Sequence, residues 1–271
     1  MPSAADVVAT ILASFDSLPI YLLLAASALI LLLAWGARPR RVYFVRHGET
    51  EANARRIRQA EAGPLSALGR AEVAAAAAHL ARFPIQAMVA SPFERARETA
   101  AILNETLRVP LTFSPLLAER RNPSVVVGRS EDDPAVKQIM DAIDRVYHDD
   151  DYRYADEENF LDLKDRAKKL LALLAAESPR HVVAVTHGIF LKMVIGYLID
   201  RENLHAGEYA KLSFFNAADN AGITIVEYEP LKRCNATRGW RVLDYNITPY
   251  EDTKPPSAPL NVAPRIPAPI S

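Results

Sequence analysis

Three times in this chain a short apolar run rich in β-branched residues is followed by a segment built for helix, and that order constrains the fold more than any other feature. "RVYFVR" (41–46) precedes "SALGRAEVAAAAAHLARF" (66–83), an alanine-rich stretch that Ser66 is placed to cap. "IQAMVAS" (85–91) precedes "PFERARETAAILNETL" (92–107), with Pro92 at a helix start, where its missing N–H does no harm. A third unit follows "NFLDLKDRAKKLLALLAAE": strand "HVVAVT" (181–186), then helix "IFLKMVIGYLID" (189–200). Such alternation predicts an α/β fold, a three-layer αβα sandwich with a mainly parallel sheet. Two later runs, "GITIVEYE" (222–229) and "GWRVLDY" (239–245), read as strands joined by a loop and predict an antiparallel edge.

In open α/β sheets, ligands sit beyond the carboxyl ends of the strands, where the strand order switches. Those ends carry Arg46 and His47, then Arg95 one turn into a helix, then His187. Gly48 and Gly188 after the histidines let the backbone turn sharply and approach a ligand, and the following helix N-terminus offers N–H groups and a positive dipole end. This describes an anion pocket, with phosphate the obvious anion. His47 is the candidate nucleophile, since a neutral imidazole can attack phosphorus and form a phosphohistidine. Arg46 and Arg95 are candidate clamps on the equatorial oxygens, and His187 a further donor. Glu119, in "LLAERR", is the candidate acid that protonates the leaving oxygen and later deprotonates water. His79, His148, His181 and His205 have no comparable setting. The run "HDDDYRYADEEN" (148–159) lacks the spacing and central glycine of a calcium loop and reads as solvated.

Both ends of the chain differ from the middle. Ser17–Ala37, 21 residues without Asp, Glu, Lys or Arg, would span about 31 Å as a helix, enough to cross a bilayer. No Lys or Arg precedes it, which argues against a secretory signal, and Arg38, Arg40 and Arg41 follow it, so the remainder is expected on the cytoplasmic side of a single-pass membrane protein. From Pro249 onward seven prolines predict a disordered or polyproline-like tail. The expected organisation is an extension (1–16), a transmembrane helix (17–37), a catalytic domain (41–248) and the tail (249–271). A net charge of −1 leaves no electrostatic footprint for nucleic acid, and a single cysteine, Cys234, excludes an internal disulfide framework and any Cys-rich metal site.

With these residues assembled, the chain resembles the histidine phosphatase superfamily, which includes phosphoglycerate mutases and many small phosphatases. The matching segments are "VRHGETEAN" (45–53), "PLSALGRAE" (64–72), "SPFERARETA" (91–100), "LLAERR" (116–121) and "VVAVTHG" (182–188), in the family's order. The resemblance implies a phosphohistidine mechanism with no metal or other cofactor, His47 as nucleophile and Arg46, Arg95 and His187 completing the pocket. It also implies phosphate contacts from Asn53 and Gln59. Here "RRNPSVVVGRS" follows Glu119, in place of the Gly-x-Trp-Glu-Gly-like segment of many relatives, and 68 positions separate Glu119 from His187, fewer than is typical of the mutases. The expected substrate is a phosphorylated small molecule or phosphoprotein. The competing readings are a phosphohistidine or phosphoprotein phosphatase in signalling, and a non-catalytic phospho-ligand module. Arg55, Arg56, Arg58, Arg120 and Arg121 either border the pocket mouth or are ordinary surface charges.

Overall fold

The computed structural model describes residues 21–27, 29, 38–145, 149–212, 218–232 and 238–250. In chain order the elements are β1 (Arg40–Arg46), α1 (Glu51–Ala54), α2 (Ala67–Leu80), β2 (Ala87–Ala90), α3 (Glu94–Leu107), β3 (Leu111–Phe113), α4 (Pro134–Arg145), α5 (Phe160–Glu177), β4 (His181–Thr186), α6 (Gly188–Asp200), α7 (Ala206–Lys211), β5 (Ile223–Tyr228) and β6 (Trp240–Ile247), with short 3₁₀ turns between. The six strands form one sheet in the order β3-β2-β4-β1-β5-β6. β1 to β4 are mutually parallel, and β5 and β6 run antiparallel beside β1, as the sequence predicts.

β1, β4 and β5 alternate between two cores. Val42 and Phe44 of β1, Val182 and Ala184 of β4, and Val226 and Tyr228 of β5 pack with α5 and α6. Tyr43, Val45, Val183, Val185, Ile223 and Ile225 point the other way, into α2 and α3. Burial on both faces explains why these runs are uninterrupted hydrophobic sequence. The chain moves outward from β1 through α2, β2 and α3 to β3. It then returns by α5 to lay β4 against β1, so the order switches between those two strands. β3, the outer parallel strand, is three residues long and flanked by Pro110 and Pro115, too short to announce itself by periodicity.

Ser66 caps α2 as expected, accepting from Gly69 N at 3.0 Å. α3 begins at Glu94, two residues past Pro92, with Phe93 in the capping position. Tyr250 belongs to the folded domain and not to the tail: it is 3% exposed, packs in the α2/α3 core and donates its hydroxyl hydrogen to Asn220 O. The rest of the proline-rich segment lies outside the described residues, as does most of the predicted membrane span. Residues 21–27 and 29 of that span are helical and exposed, and among the described residues no helix is long and apolar enough to cross a membrane.

The loop leaving β1 and the first turn of α2 approach more closely than side chains permit. A Cβ on Gly69 would stand 2.1 Å from Glu49 O, and one on Gly48 would stand 2.7 Å from both Gly69 O and Val73 Cγ2. Ser66 closes the contact by donating from its backbone to Glu49 O and from its hydroxyl to Glu49 Oε1, both at 2.8 Å. Gly69→Ala should therefore cost roughly 1–3 kcal/mol by overpacking, read as a lowered urea midpoint, while Ala71→Ser, exposed on the same helix, leaves it within about 0.5 kcal/mol. Equal midpoints for the two variants would contradict this contact.

Candidate active site

The parallel register pairs Arg46 with Thr186 at the last rung of β1 and β4, so the next residues, His47 and His187, emerge side by side. His47 N donates to Thr186 O at 2.9 Å, and the two imidazole centroids stand 5.1 Å apart. Both rings are sealed from solvent, at 3% and 0% exposure. β2 ends alongside, Ser91 N donating to Val185 O, and α3 then brings Arg95 inward. Arg95 Nε donates to His47 Nε2 at 3.3 Å, its Nη1 donates to Ala60 O at 2.7 Å, and its guanidinium lies 5.2 Å from the centroid of Phe93. Arg46 Nη1 donates to Ala218 O at 2.6 Å. Thr99 joins the parts: its hydroxyl oxygen accepts from Gly48 N and its hydrogen goes to Arg95 O. The four residues that sequence places at three strand ends thus converge on one site.

The hydrogen bonds set the protonation of His47. Its Nδ1 stands 2.8 Å from Gly48 O, an acceptor only, so Nδ1 carries the hydrogen and Nε2 presents its lone pair. Burial, then the positive charges of Arg95 and Arg46, hold this imidazole well below the ordinary histidine pKa, and burial, His47 and the same arginines do so for His187. Both rings are neutral at pH 7. Burial likewise lowers the pKa of Arg46 and Arg95, opposed in each by Glu119. Arg46 Nε and His187 Nδ1 are buried with no hydrogen-bond partner, an arrangement that calls for an anion with several acceptor oxygens.

Gly48 is pressed against α2, and a Cβ at Gly188 would stand 3.3 Å from Arg46 Nε. The expectation for the helix terminus needs correction. The N-terminus of α6, expected to be open to a ligand, is filled by the protein itself: Glu119 Oε2 accepts from Ile189 N at 3.2 Å and Oε1 from Phe190 N at 3.0 Å and Arg120 N at 2.8 Å. First-turn N–H groups need an acceptor, and a carboxylate suits that end of the dipole. The loop carrying Glu119 is held by Arg166 of α5. Arg166 grips Glu158 with two nitrogens and also donates to Leu116 O, Ala118 O and Glu119 O.

Asn53 and Gln59 meet at Thr50, three residues past His47. Asn53 forms a reciprocal cap with Thr50, whose hydroxyl oxygen also accepts from Gln59 Nε2 at 2.8 Å, while Gln59 Oε1 is buried without a partner. Four of the arginines considered for the mouth engage other partners. Arg56 pairs with Glu131 and Asp132, Arg58 with Glu131, and Arg121 donates to Asp156 O. Arg120 is buried beside Asp149, Glu157 and Glu158. The acidic run is likewise packed and not simply solvated: Glu157 is 3% exposed and accepts from Tyr154 N and Ala155 N, and Asp150 pairs with His205. Sequence reading gave no role to Ser91, Thr99, Phe93, Arg166 or Asn220, whose Nδ2 donates to His47 O. Ser91 and Thr99 lie inside the segment that carries Arg95, and a polar residue closing an apolar strand run was the available signal.

A family model described as histidine phosphatase superfamily (branch 1) matches residues 42–242. An uncharacterized phosphatase, PhoE, of Bacillus subtilis is 26% identical over 211 residues, covering 77% of this chain and 95% of that protein. A probable phosphoglycerate mutase, GpmB, of Citrobacter koseri is 30% identical over 160 residues, covering 58% of this chain and 74% of that protein. Among solved structures, a mycobacterial glucosyl-3-phosphoglycerate phosphatase superposes with a TM-score of 0.62 at 25% identity, covering 77% of this chain and 99% of that one. A mycobacterial hydrolase gives 0.64 at 25% identity over 78% and 100%.

The depressed histidines make stability depend on pH. In the unfolded chain an imidazole titrates near 6.5, so below that pH the unfolded state binds protons that folded His47 and His187 refuse. Stability is then full above pH 6.5 and falls below it, by up to about 1.4 kcal/mol per pH unit for each histidine. Urea unfolding in phosphate-free buffer between pH 7.5 and 5.5 should show this slope, with smaller contributions from the less buried His79 and His181, and His47→Asn should reduce it by one histidine's share. An unchanged slope in that variant would mean that His47 is not held neutral by the fold.

Proposed function

The chain belongs to the histidine phosphatase superfamily, branch 1, and from that premise we propose that it hydrolyses phosphomonoesters through a phosphorylated His47. The observation that carries this reading is the bare Nε2 of a buried, neutral His47 beside Arg95 Nε, with Arg46 Nε and His187 Nδ1 left without protein partners.

The chemistry follows from those atoms. The phosphoryl group takes over the N–H that Arg95 now gives to His47 and adds oxygens to Arg46 and His187, which frees the Nε2 lone pair. Nε2 attacks phosphorus, the ester P–O bond breaks, and the departing alkoxide takes a proton from Glu119, which must enter this step protonated at Oε2 and release Ile189 N while Oε1 keeps Phe190 N and Arg120 N. Water then attacks the phosphohistidine, giving its proton to the Glu119 carboxylate, and the N–P bond breaks to release inorganic phosphate and restore His47. Asn53 and Gln59, joined through Thr50, are the proposed further phosphate contacts, Gln59 at the pocket rim. Hydrolysis is favoured over phosphoryl transfer between metabolites by the short interval from Glu119 to His187 and by the likeness to PhoE and the glucosyl-3-phosphoglycerate phosphatase. The substrate is a soluble phosphorylated metabolite or a phosphoprotein.

The same proposal places the domain on a membrane. Residues 17–37 carry no Asp, Glu, Lys or Arg, and Tyr21, Leu22, Leu23, Leu24 and Leu29 are each more than half exposed, an apolar surface suited to lipid. β1 begins at Arg40, close behind that segment, so its carboxyl end and the pocket face away from the bilayer, toward the cytoplasm. Full-length chain is expected to stay with membranes through alkaline carbonate extraction, and deletion of 17–37 to release it.

Brief reaction with a labelled phosphomonoester should leave acid-labile, base-stable phosphate on the wild-type chain and none on His47→Ala, which should have no measurable turnover. Glu119→Gln should slow alkyl phosphates by about 10²-fold or more and aryl phosphates with good leaving groups much less. Phosphoryl transfer to phosphoglycerate without release of inorganic phosphate would replace the hydrolase reading with a mutase.

A further inference from the structure

Ser91 closes β2 at full burial, with 0% exposure, and is locked to β4 by its backbone N–H to Val185 O at 2.9 Å. Its hydroxyl oxygen stands 2.8 Å from His187 Nε2 and accepts, at 3.3 Å, from Phe93 N. A serine hydroxyl has one hydrogen to give, and His187 has two tautomers. If Nε2 carried the hydrogen, Ser91 Oγ would accept from both Phe93 and His187. Its own hydrogen would then be buried with no acceptor. Nδ1 would also turn a lone pair toward any phosphate oxygen held among His47, Arg46 and Arg95, the groups that surround this ring electrostatically. With the hydrogen on Nδ1, Ser91 is fully satisfied, with Phe93 N–H given to its Oγ and its O–H given to His187 Nε2, and the one group left over is an Nδ1–H donor that an anion can take. His187 Nδ1 is the ring nitrogen that is buried without a protein partner.

We propose that Ser91 is a positioning residue that fixes His187 in the Nδ1–H tautomer, so that the second histidine meets a phosphoryl oxygen as a neutral hydrogen-bond donor. The inference rests on the phosphatase reading for the identity of the ligand, but the tautomer itself does not depend on turnover. Phe93 supports the arrangement twice, through its N–H to Ser91 and through its ring, whose centroid lies 5.2 Å from that of His187 in an edge contact. Arg46, Arg95 and Arg166 are the cations whose charge acts on the ring, and Glu119 is the carboxylate whose charge acts on both pocket arginines.

The test is ring ¹⁵N NMR of the full-length chain in detergent micelles, free and with inorganic phosphate, on wild type, Ser91→Ala and Ser91→Cys. The wild type is expected to show protonated Nδ1 and bare Nε2 at His47 and at His187 alike. Ser91→Ala should move His187 toward the Nε2–H form or a mixture, leave His47 unchanged, and weaken inorganic phosphate binding about tenfold. Ser91→Cys, with a weak S–H donor, should fall between. Thermal midpoints measured alongside separate this from loss of folding. A wild-type His187 in the Nε2–H form, or an Ala variant that folds and retains both the tautomer and the phosphate affinity, would overturn the proposal. Absence of ester hydrolysis with the tautomer shift intact would instead strike the phosphatase reading and leave Ser91's role standing.

Discussion

The pairing of β1 with β4 is the constraint on which the rest of this molecule depends. Its register sets Arg46 against Thr186 and so brings His47 beside His187. That register is itself held by packing on both faces. A slip of one residue would send Val42 and Phe44 into the α2/α3 core and Tyr43 and Val45 into the α5/α6 core, exchanging side chains of unequal size in two close-packed interiors. The geometry of the site is therefore specified by hydrophobic residues several positions away from it. Two imidazoles that approach this closely without a bond between them need such outside enforcement.

The contacts that position the site are also folding contacts. Gly48 follows His47 and touches Gly69 of α2, while its N–H is held by Thr99, which bonds in turn to the backbone of Arg95. Glu119 caps the helix that begins at His187, so the proposed acid and the second histidine are fastened to the same turn. Arg166 of α5 then secures the Glu119 loop, spending its donors on backbone carbonyls and Glu158. Side chains that hold a reacting group from two directions lose little entropy when a substrate arrives, which is the physical content of preorganisation.

Much of this was legible in the sequence, and the remainder was hidden for definite reasons. The parallel sheet, its antiparallel edge, the Ser66 cap and the convergence of Arg46, His47, Arg95 and His187 follow from periodicity and from what strand ends do in α/β folds. β3 escaped notice because three residues between prolines carry no period. α4 was readable from Pro134 after Asp133 with apolar residues at 136, 139, 140 and 143, but it lies beside an acidic run that reads as loop. The glycines were assigned to ligand approach because a sequence does not say which other backbone comes near, and only coordinates show α2 pressed against Gly48. The cap that Glu119 places on α6 is a contact across 70 and 71 positions, beyond any local pattern. Ser91 and Thr99 stood in plain view within a quoted segment, and their roles became visible once His187 and Gly48 were seen beside them.

Arg46 and Arg95 show how stability and chemistry are linked in this fold. Burial works against both charges, and the carboxylate that opposes it at both is Glu119, already committed to three backbone N–H groups, with Asp219 and Glu72 adding to its effect on Arg46. The arginines settle on carbonyl oxygens, Ala218 and Ala60, and on the lone pair of His47, acceptors that satisfy hydrogen bonds without neutralising charge. The site thus concentrates positive charge that two hydrophobic cores hold in place. Under the proposed function a phosphoryl dianion would relieve it, and because the unfolded chain has no such site, its binding free energy would add to the stability of the fold. The long Arg95–His47 contact would be the first to yield, since exchanging a neutral acceptor for an anionic oxygen strengthens the bond from Arg95 and releases the lone pair that the proposed mechanism directs at phosphorus. In that mechanism, substrate arrival and activation of His47 are the same event.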